Sequence, residues 1–438
     1  MLKAAHSLGI VFFPAFDWAL SPTHPEREER LLYTQDQLEE EGVFDIEGIA
    51  EVKPLVADVA DVERVHFTFP ETELVTTRSH LVAAGGAMRA AQLVLSGARD
   101  KAFALVRPPG HHAMKSVHGT RGFCAINNEA IMIEHVRETH GARRIAVVDT
   151  DCHHGDGTQD IYWHDPDVLF ISLHQDGRTL YPGTGFPAEC GGPKARGRTI
   201  NIPLPPQTGD EGFLMVIERV VRPILDDFKP ELVINSAGQD NHFTDPITDM
   251  NVTARGYGRL NELLNPDIAV LEGGYSIQGA LPYVNLAIVL AMAGLDYSGV
   301  VEPDLEPARV RQSNRTTEYV KRLCGELPRL YFNPPPDTSL TRENGYFVRR
   351  KEIFYDTDNI RETQMEFLRD CEHCPGFLRL ETRSNRVPLS LGIEAPVGVC
   401  GACAEEARRQ FEDAQLKGGF RYAQLIDRVN KIYQRIGF

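Results

Sequence analysis

Five short apolar runs in this chain each end in a polar, mostly ionisable segment, and that arrangement restricts the fold more than any other feature of the sequence. Ala102 to Val106 leads into Arg107-Pro-Pro-Gly-His-His-Ala113, and Ile145 to Val148 into Asp149-Thr-Asp-Cys-His-His-Gly-Asp156. Val168 to Ile171 is followed by Ser172-Leu-His174, Leu232 to Asn235 by Ser236-Ala-Gly-Gln-Asp240, and Ile268 to Leu271 by Glu272-Gly-Gly-Tyr275. Unbroken apolar runs of this length suit strands buried on both faces, and the helical patterns at Thr76 to Gly97 and Glu129 to His140 supply the covering layers. The fold class expected is α/β, with a mostly parallel central sheet and helices on both faces. In such a sheet ligands bind beyond the carboxyl ends of the strands, where the following loops converge. One polar residue after one strand is ordinarily a turn former or a helix cap. Five such segments together point to a site.

Composition removes other classes. With 438 residues, 42% hydrophobic and 25% charged, the chain has the profile of a soluble globular protein, long enough for one large α/β domain and a small appendage. The excess of 62 Asp+Glu over 46 Lys+Arg leaves a formal charge of −16, which repels a phosphate backbone and suits cationic substrates or partners, so no nucleic-acid partner is expected. The run Leu8 to Leu20 is interrupted by Pro14, Asp17 and Trp18 and reads as a first strand entering a loop, not as a signal peptide. No stretch is long enough to span a bilayer, and the expectation is a cytoplasmic protein without a membrane partner.

Asp149, Asp151 and His153 alternate just past an apolar strand, so an extended backbone projects them to one side, where they can share one centre. Asp240, at the end of another strand, can join them. Carboxylates with an imidazole suit zinc and also iron(II), cobalt or manganese, and three protein ligands leave a position for water and substrate. The bland alternative is a helix N-terminus capped by aspartate. The His111-His112 pair on a Pro-Pro-Gly turn, where a rigid backbone fixes side-chain direction, favours the metal reading.

These segments resemble the zinc-dependent histone deacetylases, in a superfamily that includes bacterial acetylpolyamine amidohydrolases and acetoin-utilisation proteins. The matching residues are His24-Pro-Glu-Arg27, Arg107-Pro-Pro-Gly-His-His112, Gly122-Phe-Cys-Ala-Ile-Asn-Asn128, Asp149-Thr-Asp-Cys-His-His-Gly-Asp-Gly-Thr158, Ser172-Leu-His174, Tyr181-Pro-Gly-Thr-Gly185, Gly238-Gln-Asp240 with Asp245-Pro246, and Leu271-Glu-Gly-Gly-Tyr275. They run in family order over about residues 8 to 300. The resemblance implies Asp151, His153 and Asp240 as ligands of a catalytic zinc, with Asp149 behind His111 and Asp156 behind His112. It implies His112 as the proton acceptor, His111 as a held, positively charged partner, and Tyr275 as donor to the oxyanion. Gly122, Phe123 and Tyr181 are expected to line a narrow acyl-lysine tunnel. A potassium ion is expected on Asp149, Ser172 and the main-chain oxygens of Asp151, His153 and Leu173. Arginase shares the fold, but its two-manganese centre expects a carboxylate where Gly155 stands and an acid where His242 stands, so one metal is expected here.

After about residue 300 the resemblance stops. The expected organisation is a deacetylase catalytic domain over 1–330, a linker over 331–350 containing Asn333-Pro-Pro-Pro-Asp337, and a zinc-ribbon-like domain over 351–438. Cys371-Glu-His-Cys374 and Cys400-Gly-Ala-Cys403 form two C-x-x-C knuckles, the pattern of a closed structural zinc site in a reducing compartment. This segment looks too sparse in apolar runs to fold without that metal. Its nearly balanced charge suggests a protein-docking or tunnel-covering role, and Leu425, Ile426, Val429, Ile432 and Tyr433 predict a final helix over Tyr422 to Ile436, a core stripe or a homo-oligomer contact.

The expected activity is removal of acetyl groups from a cationic amine. Polyamine-selective relatives carry an acid just after the Asp-Pro, where this chain has Ile247, with Asp249 two residues on. Acetyl-lysine in proteins or peptides is therefore the first reading. Acetylpolyamine is the second, and a non-catalytic adaptor working through the four-cysteine domain is the third.

Overall fold

A computed structural model describes residues 2–337 and 340–437. Its strands are β1 Lys3–Phe13, β2 Glu47–Val52, β3 Phe67–Thr68, β4 Lys101–Val106, β5 Ser116–Val117, β6 Ile145–Asp149, β7 Val168–Gln175, β8 Thr199–Leu204, β9 Leu232–Ala237 and β10 Ile268–Leu271. A second set follows: β11 Thr341–Glu343, β12 Tyr346–Tyr355, β13 Ile360–Arg369, β14 Leu378–Ser384, β15 Ser390–Ala395, β16 Tyr422–Asp427 and β17 Ile432–Gly437. The first set builds an eight-stranded sheet in the order β2-β1-β4-β10-β9-β6-β7-β8, with every described pairing parallel.

Both faces of this sheet are buried, as the continuous apolar runs require. Along β6, Ile145 and Val147 join the core under helices Arg78–Leu95 and Asn128–His140, while Ala146 and Val148 face the opposite core with Leu260, Leu264 and Leu286. Local signals fix the helix ends. The Asn127 carboxamide oxygen accepts from the Ala130 N–H at 2.8 Å, and Gly141 takes a left-handed φ of 71° at the other end. The run Leu8 to Leu20 is strand only to Phe13.

The order of strands places the site. β4, β10, β9, β6 and β7 are consecutive neighbours, and their carboxyl ends are the five polar segments of the sequence. A parallel sheet thus delivers them to one edge across four inter-strand spacings, about 19 Å at ~4.8 Å per spacing.

The C-terminal region is the expected small four-cysteine domain, but its elements differ from expectation. Strands β11 to β17 form one seven-stranded sheet in sequential order, antiparallel except for β15 against β16, which are joined by the crossover helix Gly401–Lys417. The stretch expected to be a final helix is the hairpin β16–β17. Its cause is local: the Asp427 carboxylate accepts from the Val429 and Asn430 N–H groups at 3.1 Å, and Lys431 takes a left-handed φ of 52°, which breaks the stripe with a turn. The region also has an apolar core of its own, in which Phe377, Leu391, Ile393, Phe411 and Leu425 meet, so it is less dependent on a metal for folding than its sequence suggests. β11 and part of β12 lie within the stretch expected as linker, and Tyr331 is packed into the core of the first domain.

The two sheets are docked. Phe67 and Phe69, flanking the small β3–β5 pair, pack with Leu380, Val387 and Ile426. A Cβ at Gly392 would stand 2.6 Å from the Phe67 ring, so glycine is needed for this approach. Buried ion pairs cross the junction: Lys115 to Glu394 at 2.5 Å, Arg428 to Glu134 at 2.6 Å, and Lys351 to Asp160.

Candidate active site

Asp149 closes β6, and the loop beyond it carries Asp151 and His153 to Asp240, which follows β9. The three buried side chains offer one nitrogen and two carboxylate oxygens within 4.8 Å of one another. His153 Nδ1 lies 2.7 Å from Asp240 Oδ2 and 3.2 Å from Asp151 Oδ1. Backbone donors hold the carboxylates. Asp151 accepts from the His153 and Gly273 N–H groups at 2.8 and 2.7 Å, and Asp240 from the Cys152 N–H at 2.7 Å. A Cβ at Gly273 would sit 2.4 Å from Asp240 Oδ2 and 2.6 Å from Asp151 Oδ2, so only glycine leaves this cradle open.

The donor set fits a divalent metal. Burial alone would lower the His153 pKa, but the facing Asp240 and Asp151 carboxylates outweigh it and raise it to about 10, the mark of a pocket that draws positive charge. Asp149 is placed elsewhere, accepting from the Asp151 N–H at 3.1 Å and pairing with His111 Nδ1 at 3.1 Å. At Gly155 a Cβ would collide with Asp149 Oδ2 at 2.0 Å, so the position has no room for a carboxylate side chain. His242 is already taken up by Glu302 and by Thr244 Oγ1.

His111 and His112 stand side by side after β4, ring centres 4.1 Å apart, with opposite electrostatics. Burial disfavours the cationic form of both. At His111 the carboxylates of Asp151 and Asp149 overcome burial and hold the pKa well above the ordinary imidazole value. At His112 burial prevails, reinforced by the charge of His111, and the pKa falls to about 4 even though Asp156 Oδ1 lies 2.8 Å from Nδ1. Asp156 stays ionised despite burial because Arg121 and His112 face it. The Tyr275 phenol is kept protonated by burial, and its ring lies under the Arg30 guanidinium at 4.9 Å. The Phe123 ring is 5.6 Å from Tyr275, and the Tyr181 ring 5.2 Å from His112, so the two half-buried aromatics flank the centre. Gly122 lies against both His112 and Tyr181: a Cβ there would approach them to 2.4 and 3.0 Å. Ser172 pairs in register with Asp149 across β6 and β7, with Leu173 next along the strand.

The four cysteines also converge. Cys371 and Cys374 follow β13, Cys400 and Cys403 open the helix Gly401–Lys417, and their sulfurs lie within 4.8 Å of one another. Cys371 and Cys400 are 4.0 Å apart, far beyond disulfide length and close to the edge of about 3.8 Å of a tetrahedron with metal–sulfur bonds of ~2.3 Å.

Two sets of residues have no role assigned from the sequence. Glu26, Arg30 and Arg107 form a fully buried ion cluster in which Arg30 donates to the Gly274 and Glu272 carbonyls at 2.8 and 2.6 Å, which fixes the turn before Tyr275. The spacing of Glu26 and Arg30 was a visible i,i+4 signal. Glu272 accepts from the Gly110 and His111 N–H groups at 2.6 and 3.0 Å, and Asp245 from the Tyr275 N–H at 2.8 Å. The second set, around Asp356, left no pattern in the sequence.

Known proteins resemble this chain over the domain that carries the site. The family profile described as "Histone deacetylase domain" matches residues 68–291. A "Probable deacetylase" of Archaeoglobus fulgidus is 50% identical over 325 residues, covering 68% of this chain and 89% of the relative. A "Histone deacetylase-like amidohydrolase" of Pseudomonas aeruginosa is 35% identical over 53% of this chain and 62% of its own length. An "Acetylpolyamine amidohydrolase" of Burkholderia pseudomallei is 39% identical over 46% of this chain and 59% of its own. Among solved structures, that of the HDA15 HD domain superposes with a TM-score of 0.62 at 28% identity, covering 74% of this chain and 96% of that one. Among the described residues, no helix is long and apolar enough to cross a membrane.

Proposed function

Because the chain belongs to the histone deacetylase family, we propose that it is a zinc-dependent amidohydrolase that removes acetyl groups from N-acetyl-lysine in proteins or peptides. The observation that carries this reading is the pair of adjacent histidines, each held by its own carboxylate, Asp149 or Asp156, beside one buried Asp-His-Asp cluster.

Asp151, His153 and Asp240 would hold the metal. When bound, it polarises the acetamide carbonyl and lowers the pKa of a water. His112, neutral at working pH, takes the proton of the attacking water and passes it to the leaving amine. His111, cationic between its two carboxylates, stabilises the negative charge that grows nearby. Tyr275 keeps its proton and donates to the developing oxyanion, on a turn fixed by Arg30 and Asp245. Phe123 and Tyr181 exclude water from the lysine stem. Asp149 and Ser172, with the main-chain oxygens of Asp151, His153 and Leu173, form the proposed potassium cage. The four cysteines, Cys371, Cys374, Cys400 and Cys403, would hold a structural zinc.

Ile247 favours acetyl-lysine over acetylpolyamine, since it offers a second ammonium group no partner. The test is turnover of a fluorogenic acetyl-lysine peptide and a panel of acetylated polyamines, with and without chelator. Absence of turnover of every acylated amine by metal-replete protein sinks the enzymatic reading in favour of an adaptor. A preference of about a hundredfold in kcat/KM for acetylspermidine reassigns the substrate.

A further inference from the structure

We propose that the C-terminal domain completes the acyl-lysine slot of the catalytic domain through one carboxylate, Asp356, a positioning residue that ties the two aromatic walls together. The inference rests on the deacetylase reading and goes beyond it, because Asp356 lies outside residues 68–291, where the family profile matches.

The turn between β12 and β13 reaches across to the loop that carries Gly122 and Phe123. Three contacts fasten it. The Asp358 carboxylate accepts from the Thr120 N–H at 2.6 Å, the Phe354 carbonyl accepts from Arg121 Nη1 at 2.5 Å, and Asp356 Oδ1 accepts from the Gly122 N–H at 2.9 Å. That same Asp356 oxygen accepts from the Tyr181 hydroxyl at 2.9 Å. One atom of the second domain therefore bridges the wall that begins at Gly122 and the wall made by Tyr181.

The loop needs holding. Gly122 has φ 51° and Phe123 φ 71°, and the left-handed region is costly for a phenylalanine, so the surroundings must maintain it. Within the catalytic domain the backbone is held by the reciprocal Arg121–Cys124 bonds at 2.9 and 2.8 Å, on either side of these two residues, and by the Cys124 thiol, which lies 3.4 Å from the Gly122 carbonyl. Displacement of this loop would move Phe123 relative to Tyr275, and loss of the phenol's acceptor would free Tyr181 against His112. Arg121 extends the connection inward: its second amino group pairs with Asp156, whose other oxygen holds His112. The slot is thus finished by residues from both domains, and its width depends on the docking of the second.

The experiment compares Asp356→Ala and Asp356→Asn in the full-length, metal-replete protein. An asparagine amide oxygen can accept the same two hydrogen bonds, whereas alanine accepts none. Asp356→Ala should raise KM for an acetyl-lysine peptide about tenfold, and weaken binding of a linear alkyl hydroxamate by the same factor. That corresponds to the ~1.4 kcal/mol expected from the two lost bonds after water replaces them. Metal content and melting temperature should hold, kcat should stay within about threefold, and Asp356→Asn should restore KM to within about twofold of wild type. Unchanged KM and hydroxamate affinity in Asp356→Ala, equal impairment in both variants, or a loss that only tracks folded fraction would overturn the proposal. Should Asp356→Ala fail to fold, Tyr181→Phe, which removes only the hydroxyl, carries the test: unchanged hydroxamate affinity there also overturns it. If wild-type protein turns over no acylated amine, the deacetylase reading falls, while hydroxamate affinity still decides the role of Asp356.

Discussion

Tyr275 and Gly273 occupy one turn but serve the site in different ways, and substitutions separate them. Tyr275→Phe removes a hydroxyl that acts only as charge develops, so kcat should fall by about 10²-fold or more while metal content stays at the wild-type value. Gly273→Ala leaves every functional group in place yet puts a methyl 2.4 Å from Asp240 Oδ2. Elemental analysis should then find the oxygen–nitrogen site empty and the cysteine-bound metal retained. Normal activity in Gly273→Ala would show that the cradle is wider than it looks. Most of these residues were legible beforehand, because Asp151, His153, Asp240, His112 and Tyr275 all sit directly after apolar strands. Glu26, Arg30 and Arg107 were harder to read, since a fully buried ion cluster has the same composition as a solvated charged loop.

Among the elements, β15 brings a buried carboxylate, Glu394, to the domain junction. Burial would raise the pKa of Glu394, but Lys115 and Arg428 outweigh it and hold it down to about 2, against an ordinary value of 4.5. A carboxylate depressed in the folded state adds stability that is fully present above the ordinary value and is lost as pH falls toward the folded one. The wild-type protein should therefore lose denaturation free energy progressively from about pH 5 to pH 2. Glu394→Gln should start about 3 kcal/mol lower at pH 7, because Lys115 is left buried without its partner, and should show a flatter decline. Parallel acid limbs for the two proteins would refute the assignment. The hairpin β16–β17 shows why the C-terminal elements were misread. Leu425, Ile426, Val429, Ile432 and Tyr433 fit a helical stripe, and also two strands in which Ala423 and Leu425 face one core and Ile426 another. The Asp427 turn decides between them. The α/β domain offered no such ambiguity, since strands buried on both faces leave runs that no amphipathic helix produces.

On the scale of the whole molecule, two unlike candidate metal sites share one chain, and a mild chelator should distinguish them. The Asp-His-Asp centre has hard donors and an open position, whereas the four-thiolate site is closed, so activity should vanish while the second metal remains bound. Cys371→Ser should lower the melting temperature by only a few degrees, because the surrounding sheet and helix have their own core. One metal per chain in fully active protein, with Cys371→Ser melting like wild type, would remove the structural site. The clasp at Asp356 bears on the order in which the protein is made. Its partners Gly122 and Tyr181 precede it by 234 and 175 residues, so at ~5–20 residues per second they leave the ribosome roughly 10 to 50 seconds ahead of it. Once Asp240 has followed them, and until Asp356 emerges 116 residues later, the nascent catalytic domain has both aspartates of the Asp-His-Asp cluster but not the strap that shapes the way in. A chain released early would carry the chemistry without the gauge that selects what reaches it.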